Sequence, residues 1–172
     1  MSLLQNVPLD KLTPARLWTA LDESVRRLAV GAMYDDDPDL RREADQALAD
    51  ALRFRPAGVR KLPVDKRVDY FVRRVRPDNS LASTLLTTLH LAHRRPLLGA
   101  FLDALEVPND DGLIAPGHEP EPFAGNRLAP AVDGLHGRFE ALDVDLYLAT
   151  LLALDPDVWG GLKPLLERAP AE

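Results

Sequence analysis

The chain has no cysteine at all. Disulfides, thiolate metal sites and cysteine nucleophiles are thereby excluded, and any core must hold without covalent staples. Aromatic residues make up only 6% of the sequence, so the apolar interior has to be aliphatic, built from leucine, valine and alanine. Lysine is scarce as well: Lys11, Lys61, Lys66 and Lys163 are the only four, and arginine supplies the rest of the positive charge. With abundant alanine, leucine and proline, that arginine excess makes a GC-rich bacterial coding sequence the expected origin. No apolar run approaches the ~20 residues of a membrane span; the longest, Leu146–Leu154, is far shorter. The N-terminal stretch MSLLQNVPLD lacks the basic region of a signal peptide. A cytoplasmic protein with no membrane partner is the expectation.

What is present is helical periodicity. Thr13-Pro14, Asp37-Pro38 and Asp155-Pro156 each combine a capping side chain with a proline at the first helical position, where its missing N–H removes nothing. From Thr13, Leu17, Leu21, Val25, Leu28 and Ala32 recur at 3.6-residue spacing, which predicts one amphipathic helix to about Met33. The second helix, to about Arg53, turns Leu40, Ala44, Ala47, Leu48 and Ala51 inward, and the acidic run Asp35-Asp36-Asp37 reads as its turn and cap. After a connection at Phe54–Leu62, Val64, Val68, Phe71, Val72 and Val75 form one apolar arc opposite Lys66, Arg67, Tyr70, Arg73 and Arg74.

Ser80–Glu106 is the leucine-richest stretch and predicts a central helical hairpin over 80–106, broken near Pro96. On a helical wheel Leu81, Leu85, Leu89 and Ala92 form its core line, His93 falls inside that arc and His90 at its edge. The segment 107–126, with four prolines and three glycines, predicts a long loop with a turn at Asn109–Gly112; loops of that length are commonly functional. A weak helical pattern follows over Arg127–Phe139. Asp143 is the expected cap of Val144–Leu154, a segment apolar all round the wheel and therefore expected to be buried on all sides. Gly160-Gly161 in the last helix implies close packing. No period-two strand pattern and no fixed repeat occurs. The expectation is a single all-α domain over 1–172 of seven or eight helices, with 1–12 and 169–172 loosely ordered.

Two patterns carry candidate chemistry. His90 and His93, at i,i+3, place two imidazoles on one helix surface, and such a pair binds metal if carboxylates converge on it. At least one further ligand is needed: Asp103 and Glu106 on the next helix are the candidates, with His118 and His136 distant in sequence, and a small metal-dependent enzyme is the alternative reading. Against it, histidines and arginines in a last helical turn also serve simply to complement the carbonyl end. No phosphate-binding, dinucleotide, zinc-protease or hydrolase motif is present, and no cofactor is implied.

Charge distribution is the stronger lead. Arg53 to Arg95 holds eleven basic and three acidic residues, a net of +8, so the remainder carries −14 to give the overall −6. The expected contact face is the arc Lys66, Arg67, Tyr70, Arg73 and Arg74, in a non-catalytic interaction or regulatory protein with an acidic protein partner or a second copy of itself. Nucleic acid or phosphate is the third reading, opposed by the net acidity. Internal neutralisation of the arc by Asp35–Asp50 or Asp103–Asp111 is the competing explanation.

Overall fold

The computed structural model describes residues 8–35, 37–118 and 120–167. Of the segments expected to be loosely ordered, 1–12 and 169–172, residues 1–7 and 169–172 fall outside the described residues, as does Asp36.

The chain is all-α. Its helices are α1 (Pro14–Ala20), α2 (Glu23–Met33), α3 (Pro38–Leu52), α4 (Pro56–Val59), α5 (Val64–Arg74), α6 (Asn79–His93), α7 (Arg95–Ala104), α8 (Gly125–His136), α9 (Ala141–Leu154), α10 (Pro156–Trp159) and α11 (Lys163–Glu167). This exceeds the seven or eight expected because two segments read as continuous helices are divided and the connection 54–62 contains the one-turn helix α4. Residues 14–33 break at Leu21, which adopts an extended backbone, so Asp22 starts a second helix. The break resets the helical phase: Leu28, expected inside, is half exposed, while Ala29, Val30 and Met33 are buried. At the C-terminal end a 3-10 turn, Gly160–Leu162, separates α10 from α11.

The local start signals act as their chemistry dictates. Thr13 accepts from the Arg16 N–H at 3.3 Å, Asp37 from Asp39 and Leu40 at 2.8 and 3.2 Å, Asp78 from Leu81 at 2.9 Å and Asp155 from Val158 at 3.1 Å. One cap is elsewhere than expected: α9 begins after Glu140, so Asp143 lies inside its first turn and pairs with Arg94 instead.

Two apolar clusters form the interior. The first gathers α1, α2, α3, α5 and α6 around Leu17, Leu48, Phe71, Leu85 and Leu89. The second gathers α7, α8 and the C-terminal turns around Phe101, Leu128, Leu135, Trp159 and Leu162. Both helices of residues 80–106 are present, joined at Arg94, and the joint is where the chain passes from one cluster to the other. Helix α9 serves both: Leu146, Ala149 and Ala153 enter the first cluster, Val144, Tyr147 and Leu148 the second. An apolar circumference is what such a position requires.

The 107–126 segment contains a two-residue antiparallel hairpin, β1 (Asn109–Asp110) with β2 (Leu113–Ile114), paired Asn109 to Ile114. Its loop residues Asp111 and Gly112 have φ of 49° and 84°, the left-handed geometry a two-residue hairpin demands. Asn109 Oδ1 accepts from the Gly112 N–H at 3.1 Å, and Gly112 sits directly on α7 against Leu98.

Candidate functional site

Helix α5 is gripped on two sides. Towards α3, the Arg67 guanidinium spans 3.2 Å to each oxygen of Asp45, a carboxylate that is almost fully buried. Tyr34 donates its hydroxyl to Asp45 at 3.1 Å, and the Arg67 guanidinium lies over the Tyr34 ring. Burial and the adjacent Asp45 charge push the Tyr34 phenol above its ordinary pKa. Arg67 also donates from Nε to the Leu62 carbonyl and from Nη2 to the Arg60 carbonyl, each at 2.8 Å. Towards α2, Asp69 is bonded by Arg27, which also reaches Glu23 at 3.3 Å. The Arg27 hydrogen bond, aided by the fields of Arg73 and Lys66, holds the Asp69 carboxyl below its usual range.

Between these borders lies the third side of α5. Lys66, Tyr70, Arg73 and Arg74 are exposed there, Tyr70 by 41%. Arg67, expected among them, is engaged with Asp45 and offers no free donor face to a ligand of that arc. Val64, expected inside, is exposed because it opens the helix at its first position, ahead of the packed turns.

Internal neutralisation accounts for three of the eleven cations between Arg53 and Arg95. Arg67 pairs with Asp45, Arg94 with Asp143 at 2.6 Å and Arg95 with Asp111 at 3.4 Å. The other eight, Arg53, Arg55, Arg60, Lys61, Lys66, Arg73, Arg74 and Arg76, are exposed and bridge no acid among the described residues. All eight fall within residues 53–76, where Asp65 and Asp69 are the only acids.

The two histidines do not meet. His90 is inside the protein and His93 is exposed, the reverse of the helical-wheel reading. The buried face of α6 is Ala82, Leu85, Leu86, Leu89 and His90, which lets Ala92 and His93 turn outward in the last turn. The Thr150 hydroxyl donates to the Leu146 carbonyl at 2.8 Å, so it accepts from His90 Nε2–H at 3.0 Å and fixes that tautomer. His90 Nδ1 then carries a lone pair with no partner among the described residues, and the ring stands edge-on to Tyr147. Burial, with Arg94 nearby, pushes the imidazole pKa down to about 3, so the ring is neutral at neutral pH.

The remaining ligand candidates are dispersed. Asp103 accepts from Asn109, Glu106 faces Arg127 at 3.6 Å, His118 donates from Nδ1 to the Pro116 carbonyl, and His136 bonds Asp145. Among the described residues no three histidine, aspartate or glutamate side chains gather as a metal ion requires. An open depression of about 610 Å³ lies against the 107–126 loop, between Glu106, Glu121, Phe123 and Arg127. Arg127 there is committed to the Leu105 carbonyl at 2.9 Å and to the Phe123 ring.

No described helix is long and apolar enough to cross a membrane. No family model matches the chain, and no curated protein or solved structure matches it either.

Proposed function

We propose that this is a non-catalytic interaction or regulatory protein, and that its contact face is the exposed side of α5 presented by Lys66, Tyr70, Arg73 and Arg74. The partner is an acidic protein. One observation carries the reading: eight of the eleven cations between Arg53 and Arg95 are exposed without an acidic partner among the described residues, and all eight fall within residues 53–76. Exposed ion pairs contribute about 0–1 kcal/mol each, so a contiguous set is needed to bind, and it binds with strong dependence on salt. Such a face sets encounter rate and orientation before it sets affinity. Tyr70 supplies the aromatic surface that contact centres favour.

The experiment is titration of the protein with a labelled peptide rich in aspartate and glutamate, at low and moderate salt. Lys66→Glu/Arg73→Glu/Arg74→Glu loses roughly tenfold or more in affinity, the equivalent of three modest contacts. The same number of reversals away from α5, Lys11→Glu/Arg42→Glu/Arg138→Glu, leaves most of the binding intact. Equal losses in both triple variants would reduce the effect to net charge and remove the face.

A further inference from the structure

We infer that the contact surface continues from α5 onto residues 53–61, and that it fits an acidic protein segment carrying one bulky apolar side chain, seated at Phe54. The inference rests on the reading of α5 just given.

Arg67 is what makes one surface of two strips. Its guanidinium is bonded at once to Asp45 of α3, to the Leu62 carbonyl and to the Arg60 carbonyl. The connection is therefore held against α5 by a buried cation of α5 itself. Arg60 and Lys61, both exposed, come to lie beside the turn that presents Lys66. Arg67 is a positioning residue of this surface rather than a contact.

The other end of the strip is the C-terminus of α3. The Arg53 N–H donates to the Asp50 carbonyl and the Phe54 N–H to the Ala49 carbonyl, the paired bonds that close a helix with a left-handed residue. That residue is Arg53, with φ of 55°, where glycine is the unstrained choice. The chain thus carries a long exposed cation at a position whose backbone favours having no side chain. The residue after such a left-handed cap commonly folds its apolar group back onto the helix. Phe54 instead is 57% exposed, between the exposed Arg53 and Arg55.

An exposed ring flanked in sequence by two exposed arginines supplies an apolar centre with charged neighbours, the plan of a protein contact. Charge complementarity makes the occupant acidic, and the ring gives it an apolar anchor. The stretch also exposes Val64, an aliphatic surface that suits a protein side chain. The −14 carried by the rest of the chain opposes any anion that runs beyond the strip, so it disfavours a long polyanionic strand more than a short acidic segment.

The test uses the full chain and three probes: an acidic peptide containing one tryptophan, the same peptide with serine in its place, and a single-stranded oligonucleotide of equal charge. The tryptophan peptide binds about fivefold or more tighter than the serine peptide, as a single seated aromatic allows. Phe54→Ala abolishes that difference and leaves the serine peptide unaffected. Arg60→Glu/Lys61→Glu weakens both peptides. All of these positions are exposed, and unchanged thermal midpoints confirm that the variants are folded. If Phe54→Ala and Arg60→Glu/Lys61→Glu bind as wild type while the α5 triple variant does not, the extension is overturned and the α5 reading stands. If the α5 triple variant also binds as wild type, both fall. An oligonucleotide that binds tighter than either peptide assigns the surface to nucleic acid and overturns the inference.

Discussion

Arg67 and Asp45 form an ion pair whose side chains are only 12% and 5% exposed, and every charged atom of the pair has a partner. Desolvating two charges is expensive, and such a pair offsets the penalty only when its remaining hydrogen-bonding capacity is used. Here Tyr34 and two backbone carbonyls use it. Removing one partner strands the other, which predicts about 3–5 kcal/mol of destabilisation for Arg67→Met or for Asp45→Ala alone. The double variant recovers part of that loss, because no lone charge is left inside. Urea denaturation of the two single variants and the double measures the coupling. Single losses below about 1 kcal/mol would mean the pair is wet, contrary to its burial.

His90 predicts an acid-sensitive fold. Its folded pKa is pushed down to about 3 while an unfolded histidine titrates near 6.5. Between those values the unfolded chain binds a proton that the native chain refuses, so stability falls as pH drops. The site contributes a slope of about 1.4 kcal/mol per pH unit, beginning near pH 6.5. Among the described residues, Arg94, one turn on, and Tyr147 and Thr150 of α9 face the ring, and none offers a negative charge to accept an imidazolium. His90→Gln retains polarity without titrating. The wild type should therefore lose more stability than this variant between pH 7 and pH 5, with other titrations cancelling in the comparison. Parallel pH profiles would show that the ring accepts its proton without opening the core.

How much of this was readable in the sequence depends on how local each determinant is. The Thr-Pro and Asp-Pro starts were legible because a cap involves only the next three residues. So was the burial of α9, since an apolar circumference has one meaning. The inner faces of α2 and α6 were misread for a common reason: helical phase is set by where a helix starts and what meets it. The break at Leu21 displaced Leu28 outward, and the partner Thr150, sixty residues away, drew His90 rather than His93 into the core. Asp45 gave no signal at all, because its burial is licensed by Arg67 from another helix. The basic segment was legible as charge. Which of its cations are neutralised was not, since the acids that do so lie on α3, α9 and the hairpin loop.

The adjacent glycines at 160 and 161 predict opposite outcomes for the same substitution. Gly160 has helical dihedrals, φ −55° and ψ −28°, and a Cβ added there meets nothing within 4 Å. Gly160→Ala restricts the unfolded chain without disturbing the folded one, and stabilises by about 0.4–1 kcal/mol. At Gly161 a Cβ would stand 2.7 Å from Leu128 Cδ1 and 3.0 Å from the Phe123 carbonyl oxygen. Leu128 is fully buried in the second cluster and the carbonyl is backbone, so neither yields freely. Gly161→Ala therefore destabilises by about 1–3 kcal/mol, the usual range for forcing an extra carbon into a filled site. Expressed as thermal midpoints, the two variants should separate by several degrees, at roughly 2–4 °C per kcal/mol for a chain of this size. Two variants that moved together would mean that backbone entropy alone governs this turn and that the contact of Gly161 with α8 is loose.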